Sequence, residues 1–206
     1  MRLSECRRFL KRCAAWLWRM PHRAGYGVHS PYAFQFIRGV VLEREAYYAY
    51  EALAAHRAGA ALSERDDQLL FRLVNFVQPR LTVSIGALNP VTKHYLQTAC
   101  QASRHVSLNS AADLQAVGNE EIGFLLCDLQ HLADLPAESW LSRLSEQAAD
   151  GGLFCFLNID ASPNAQRLWH QLRALPAVRL SFDLYRIGLL SFERRLSRQD
   201  YIVRRW

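Results

Sequence analysis

Leu81-Thr-Val-Ser-Ile-Gly86-Ala-Leu-Asn-Pro90 is the stretch on which the reading of this chain turns. A short apolar, β-favouring run ends at a glycine, and Pro90 then stands where the first turn of a helix accepts it. The segment predicts a strand, a tight loop and a helix. In an open α/β sheet a ligand lies at such a junction: the strand's carboxyl end opens onto a crevice, and the helix N-terminus offers unpaired N–H groups. A single glycine marks this turn, so an ordinary βα connection accounts for the residues as well as a cofactor loop does.

Downstream the alternation continues. A helix is predicted over about residues 91–102, a strand over 105–108, a short helix near 111–117 and an apolar strand over 122–127 ending in Asp128. A helix over about 137–149, a strand over 153–157 and a helix over about 164–175 follow. This spacing gives a mostly parallel sheet with right-handed crossovers. The last two strands differ. Val178-Arg-Leu-Ser-Phe182 and Ile187-Gly-Leu-Leu-Ser-Phe192 are joined only by Asp183 to Arg186, which allows an antiparallel hairpin and nothing longer. Upstream, Ser30-Pro31 starts a helix carrying Phe34, Ile37, Val40 and Val41, and a second helix covers about 45–57. A third begins at Ser63, with Leu69, Leu70, Leu73, Val74 and Val77 as its buried stripe, and stops at Pro79.

The 206 residues, half of them apolar, suffice for one well-cored domain. The net charge of +6 is confined to the start of the chain: residues 1–23 hold seven basic side chains against Glu5 alone, and the rest balances. That argues against a nucleic-acid-binding surface spread over the domain. Leu3, Cys6, Leu10, Cys13, Leu17 and Met20 recur at helical spacing beside Trp16, which makes residues 3–20 a basic amphipathic helix. Such a helix can dock on the body of the protein, lie on an anionic membrane surface, or grip phosphate, in that order of preference. The chain divides into a basic amphipathic helix (1–24), a helical part packed on the sheet (25–79) and an α/β part (80–206), the last two forming one globular unit.

Five scattered cysteines without a C-x-x-C pair read as reduced, buried thiols, and the histidines show no zinc spacing. No apolar run is long enough to span a bilayer, so a cytoplasmic and at most membrane-peripheral protein is expected.

The segment Gly25-Tyr-Gly-Val-His-Ser-Pro-Tyr-Ala-Phe34 has the form G-x-G-V-H-S-P-[FY]-x-F. With Gln68 to Asn75, the junction at Ser84 to Leu96, Cys127-Asp-Leu-Gln-His131 and Phe182 to Leu189, it resembles a bacterial group of class I S-adenosylmethionine-dependent methyltransferases. The likeness runs from about residue 25 to the C-terminus. It implies a Rossmann-like sheet closed by an antiparallel hairpin, and an S-adenosylmethionine site whose positions can be followed one by one. Ser84 stands where an acidic residue precedes the glycine loop; Gly86 is kept, and Asn89 and Pro90 replace a later glycine. The ribose-binding acid at the end of the second strand corresponds to Asn109, and an acidic pair after the fourth to Leu157-Asn158. Asp128 and His131 are retained, as cofactor contact or as acid and base. Only about a dozen residues separate Ser110 from Ile122, too few for the helix, strand and helix of the family, so one strand is expected to be missing on the adenosine side.

Two functions follow. One is a non-catalytic binding or scaffold protein on a methyltransferase-like fold with a degenerate cofactor site, holding a protein partner or an anionic membrane surface through residues 1–23. The other is an active methyltransferase on a small-molecule or lipid-linked acceptor. Self-association stays open, nucleic acid is disfavoured, and no metal is called for.

Overall fold

The structure, a computed structural model, describes residues 28–132 and 138–205; the predicted basic helix lies outside them, as do the first three residues of the entry motif. Helix α1 (Pro31–Phe36) widens into a π-type turn over Ile37–Val41. Next come α2 (Ala49–Ala54), α3 (Glu64–Val77), β1 (Leu81–Ile85), α4 (Pro90–Ala99) and β2 (Arg104–Leu108). After a 3-10 turn, Ala111–Val117, the chain forms β3 (Ile122–Asp128), α5 (Glu138–Gln147), β4 (Ala148–Leu157) and α6 (Pro163–Ala174). It finishes with β5 (Leu180–Asp183), β6 (Ile187–Ser191) and β7 (Gln199–Ile202).

The predicted helix starts at Ser30 and Ser63 are made by the residues that signal them: Ser30 Oγ accepts from Ala33 N–H and Ser63 Oγ from Asp66 N–H, with Pro31 at the first helical position. The helix expected from about residue 164 starts at Pro163, where Ser162 Oγ accepts from Ala165 N–H. Glu64, Asp66 and Asp67 place negative charge at the positive end of α3. The second predicted helix shortens to Ala49–Ala54, because the Glu43 carboxylate accepts from Arg44 and Glu45 N–H and holds that stretch in a local turn.

Among the described residues the strands make one seven-stranded sheet in the order β2-β1-β3-β4-β6-β5-β7. β2, β1, β3 and β4 are parallel, and β6 enters antiparallel between β4 and β5, so the expected hairpin is present. Gly188 on β6 lies under Trp169 of α6, where a Cβ would stand 2.6 Å from the indole ring. β4 begins earlier than expected, pairing Ala148 with Ile122 before a bulge, and an unforeseen strand, β7, runs parallel to β5. Among the described residues β2 is an edge strand, and a 3-10 turn, Ala111–Val117, follows it where the resemblance implies a helix, a strand and a helix.

Both faces of the sheet are covered. Helices α1, α3 and α4 bury Phe36, Leu69, Leu73, Tyr95 and Leu96 against Phe124, Cys155 and Phe182. On the other face α5, α6 and the 3-10 turn bury Trp140, Trp169 and Leu114 against Val83, Leu125 and Phe156. β1 is buried along its whole length, as an inner parallel strand is, and its two polar side chains, Thr82 and Ser84, are hydrogen-bonded to Ser103 and Ser107. The chain leaves β1 for β2 on one side and returns to β3 on the other, so the topological switch point lies between the carboxyl ends of β1 and β3.

Candidate functional site

At that switch point three of the predicted site residues converge. A cavity of about 100 Å³ is lined by Gly86, Asn89 and Asp128 together with Ala61, Leu62 and Leu88. Gly86 turns the chain out of β1 at φ 94°, a backbone state that glycine reaches without strain, and its N–H donates to Leu108 C=O at 2.8 Å. Asn89 caps α4: its Oδ1 accepts from Val91 N–H at 2.9 Å, and its Nδ2 donates to Gly59 C=O at 2.9 Å. The amide thus ties the loop before α3 across the mouth of the turn.

Asp128, at the end of β3, uses both carboxylate oxygens. Oδ1 accepts from Gln130 N–H at 2.9 Å, and Oδ2 accepts from Asn158 Nδ2 at 2.8 Å. Asn158 holds a positive φ of 57°, and its Oδ1 accepts from Arg186 Nη2 at 3.1 Å. The result is a carboxylate, amide and guanidinium relay along the carboxyl ends of β3 and β4. Among the described residues no three His, Cys, Asp or Glu side chains gather closely enough to hold a metal.

Two predicted residues stand apart from the cavity. Ser84 is buried, and its hydroxyl donates to Ser107 Oγ at 3.1 Å, so it joins β1 to β2 and faces no crevice. Asn109 follows β2 on the exposed surface. His131 closes the 3-10 turn Leu129–His131 after Asp128, and its side chain lies outside the described residues.

Sequence reasoning missed the groups that hold the loop beside the cavity. Asp67, fully buried on α3, accepts from Arg57 Nη1 at 2.6 Å and from Thr92 Oγ1 at 2.8 Å. Arg57 Nη2 also donates to Leu62 C=O at 2.8 Å, and its guanidinium stands 5.6 Å from the centre of the Tyr95 ring. These bonds fix Leu62 over the cavity. The partners lie 10 and 25 residues from Asp67 with no shared periodicity, so no local signal announces them.

A larger depression of about 480 Å³ lies at the opposite end of the strands, between Gln78, Glu121 and Gly152. It lies at the amino ends of the parallel strands β1, β3 and β4, and topology rather than volume selects the smaller cavity as the site. That cavity falls well below the roughly 300 Å³ or more of a small-molecule or cofactor pocket. Behind it Cys127 is pushed well up by burial, with the neighbouring Asp128 adding to the effect.

No protein-family model and no curated protein matches the chain. Solved structures do. A methyltransferase from Geobacter sulfurreducens superposes with a TM-score of 0.51 at 17% identity, over 79% of this chain and 96% of that one. An O-methyltransferase from Bacillus cereus, solved in complex with SAH, gives 0.50 at 16% identity, over 76% and 96%. A putative caffeoyl-CoA O-methyltransferase from Staphylococcus aureus gives 0.53 at 10% identity, over 70% and 92%. The chain has the Rossmann-like fold of these methyltransferases.

Proposed function

We propose that this chain is a methyltransferase-fold protein whose cofactor crevice is degenerate, and that it serves as a non-catalytic binding or scaffold protein. The observation that carries the reading is the small crevice at Gly86: a volume of about 100 Å³, with the loop bearing Gly59 and Leu62 tied to the turn by Asn89 and held in shape by Arg57. The B. cereus neighbour was solved with SAH, so the fold accommodates that cofactor elsewhere. Here the residues do not fit it. Ser84 is turned to Ser107, Asn109 has no charge to offer a ribose, and the Asp128 carboxylate is already engaged on both oxygens.

The magnitude supports the same reading. Three weakened contacts at about 1–3 kcal/mol each would carry a micromolar cofactor affinity to millimolar or weaker. Binding would then rest on another surface, and the basic segment 1–23 is suited to a protein partner or an anionic membrane surface. Calorimetric titration with S-adenosylmethionine and S-adenosylhomocysteine tests the proposal. No heat of binding up to about 1 mM is expected; a micromolar dissociation constant would overturn it in favour of an active methyltransferase.

A further inference from the structure

We propose that two copies of this chain pair through the free edge of β2, antiparallel and with Val106 on the twofold axis. The inference concerns the sheet edge and does not depend on whether the crevice binds a cofactor. Among the described residues β2 is bonded to β1 alone. The ladder is anchored by Arg104 N–H on Arg80 C=O at 2.9 Å and by Gly86 N–H on Leu108 C=O at 2.8 Å. Residues 104, 106 and 108 therefore turn their backbone groups toward β1, and His105 and Ser107 turn theirs outward. No backbone hydrogen bond among the described residues uses them beyond the β1 ladder.

The free edge is self-complementary. With Val106 facing its own copy, His105 stands opposite Ser107 of the second chain and Ser107 opposite its His105, so the two outward pairs exchange four N–H···O=C bonds. Registers centred on His105 or on Ser107 would use fewer of these groups. The same register keeps like charges apart. Arg104, paired with Glu120 at 2.6 Å, falls opposite Leu108 of the second copy. His105 is held toward its neutral form by burial and by Lys93.

Among the described residues the edge is open: Arg104, Ser107 and Asn109 are exposed, β2 contains no proline or bulge, and the 3-10 turn packs on the Leu108 face of the strand. A second copy is the occupant for which the register and charges are already matched. It would restore a neighbouring strand on the side of the sheet where this chain has only a 3-10 turn.

Sedimentation velocity on the full chain, over a concentration series reaching about 100 µM, tests the pairing. A concentration-dependent dimer is expected. Ser107→Pro removes one outward N–H without touching the β1 ladder and should leave a monomer, with far-UV circular dichroism reporting that the fold is kept. Ser107→Lys places a cation beside Lys93 of the second copy and should weaken the dimer about tenfold or more, while Ser107→Glu should not. A wild type that stays monomeric throughout, or a dimer that survives both Ser107→Pro and Ser107→Lys, would overturn the proposal. So would loss of the dimer when only residues 1–23 are removed.

Discussion

Replacing Arg57 by Met should destabilise the fold by roughly 2–4 kcal/mol. Asp67 is fully buried, and its carboxylate is balanced by the Arg57 guanidinium at 2.6 Å and by the Thr92 hydroxyl at 2.8 Å. Removing one partner of a buried ion pair costs about 3–5 kcal/mol, because the remaining charge stays desolvated without its counter-ion. The Arg57 side chain keeps 16% of its surface in water, which places this pair toward and somewhat below the lower end. Methionine retains the apolar stem but loses the bond to Leu62 C=O. For a chain of this length the loss corresponds to a fall in Tm of about 5–15 °C. Urea unfolding followed by circular dichroism measures it. The double variant Arg57→Met with Asp67→Asn removes the orphaned charge while keeping an acceptor for Thr92, and should recover at least half of the loss. A single Arg57→Met variant within about 1 kcal/mol of wild type would refute the claim that this pair holds the loop over the crevice.

Three further outcomes are expected. Gly188→Ala drives a methyl group to 2.6 Å from the Trp169 ring and should destabilise by about 1–3 kcal/mol in the same unfolding assay. Burial, and then Lys93, lowers the His105 pKa, so the unfolded chain takes up this proton first as the pH falls. That contribution is complete above the unfolded value of about 6.5 and is lost as the pH drops through the window below it, so His105→Gln should flatten the wild-type slope there. Burial raises the thiols of Cys127 and Cys155, so iodoacetamide at about pH 8 should leave both unmodified in the folded chain, read by peptide mass spectrometry; rapid labelling of either would contradict their buried placement.

Much of the architecture can be read from residues that act locally. Leu81–Ile85 reads as an inner strand from Leu81, Val83 and Ile85 and its β-favouring run, and Ser30, Ser63 and Asn89 start helices by the hydrogen bonds their side chains accept. The hairpin of β5 and β6 follows from a linker too short for anything else. β7 escapes because Gln199-Asp-Tyr-Ile202 is a polar, largely exposed edge whose strand state comes from β5, not from its own pattern. The early start of β4 escapes because its pairing with Ile122 precedes a bulge that interrupts the apolar alternation. At the site, strand ends place Gly86 and Asp128, and both reach the crevice. Asn109 does not: it follows β2, the edge strand among the described residues, and lies exposed. The placing of Leu62 beside the cavity depends on Arg57, Asp67 and Thr92 meeting across three elements, which only the folded chain brings about.

The central claim is that the crevice at Gly86 is closed to a methyl-donor cofactor. Amide resonances of Gly86, Asn89, Asn109 and Asp128, followed by NMR while S-adenosylhomocysteine is added to about 1 mM, test it residue by residue. The account predicts that none of the four moves; saturable shifts centred on Gly86 and Asp128 would contradict it.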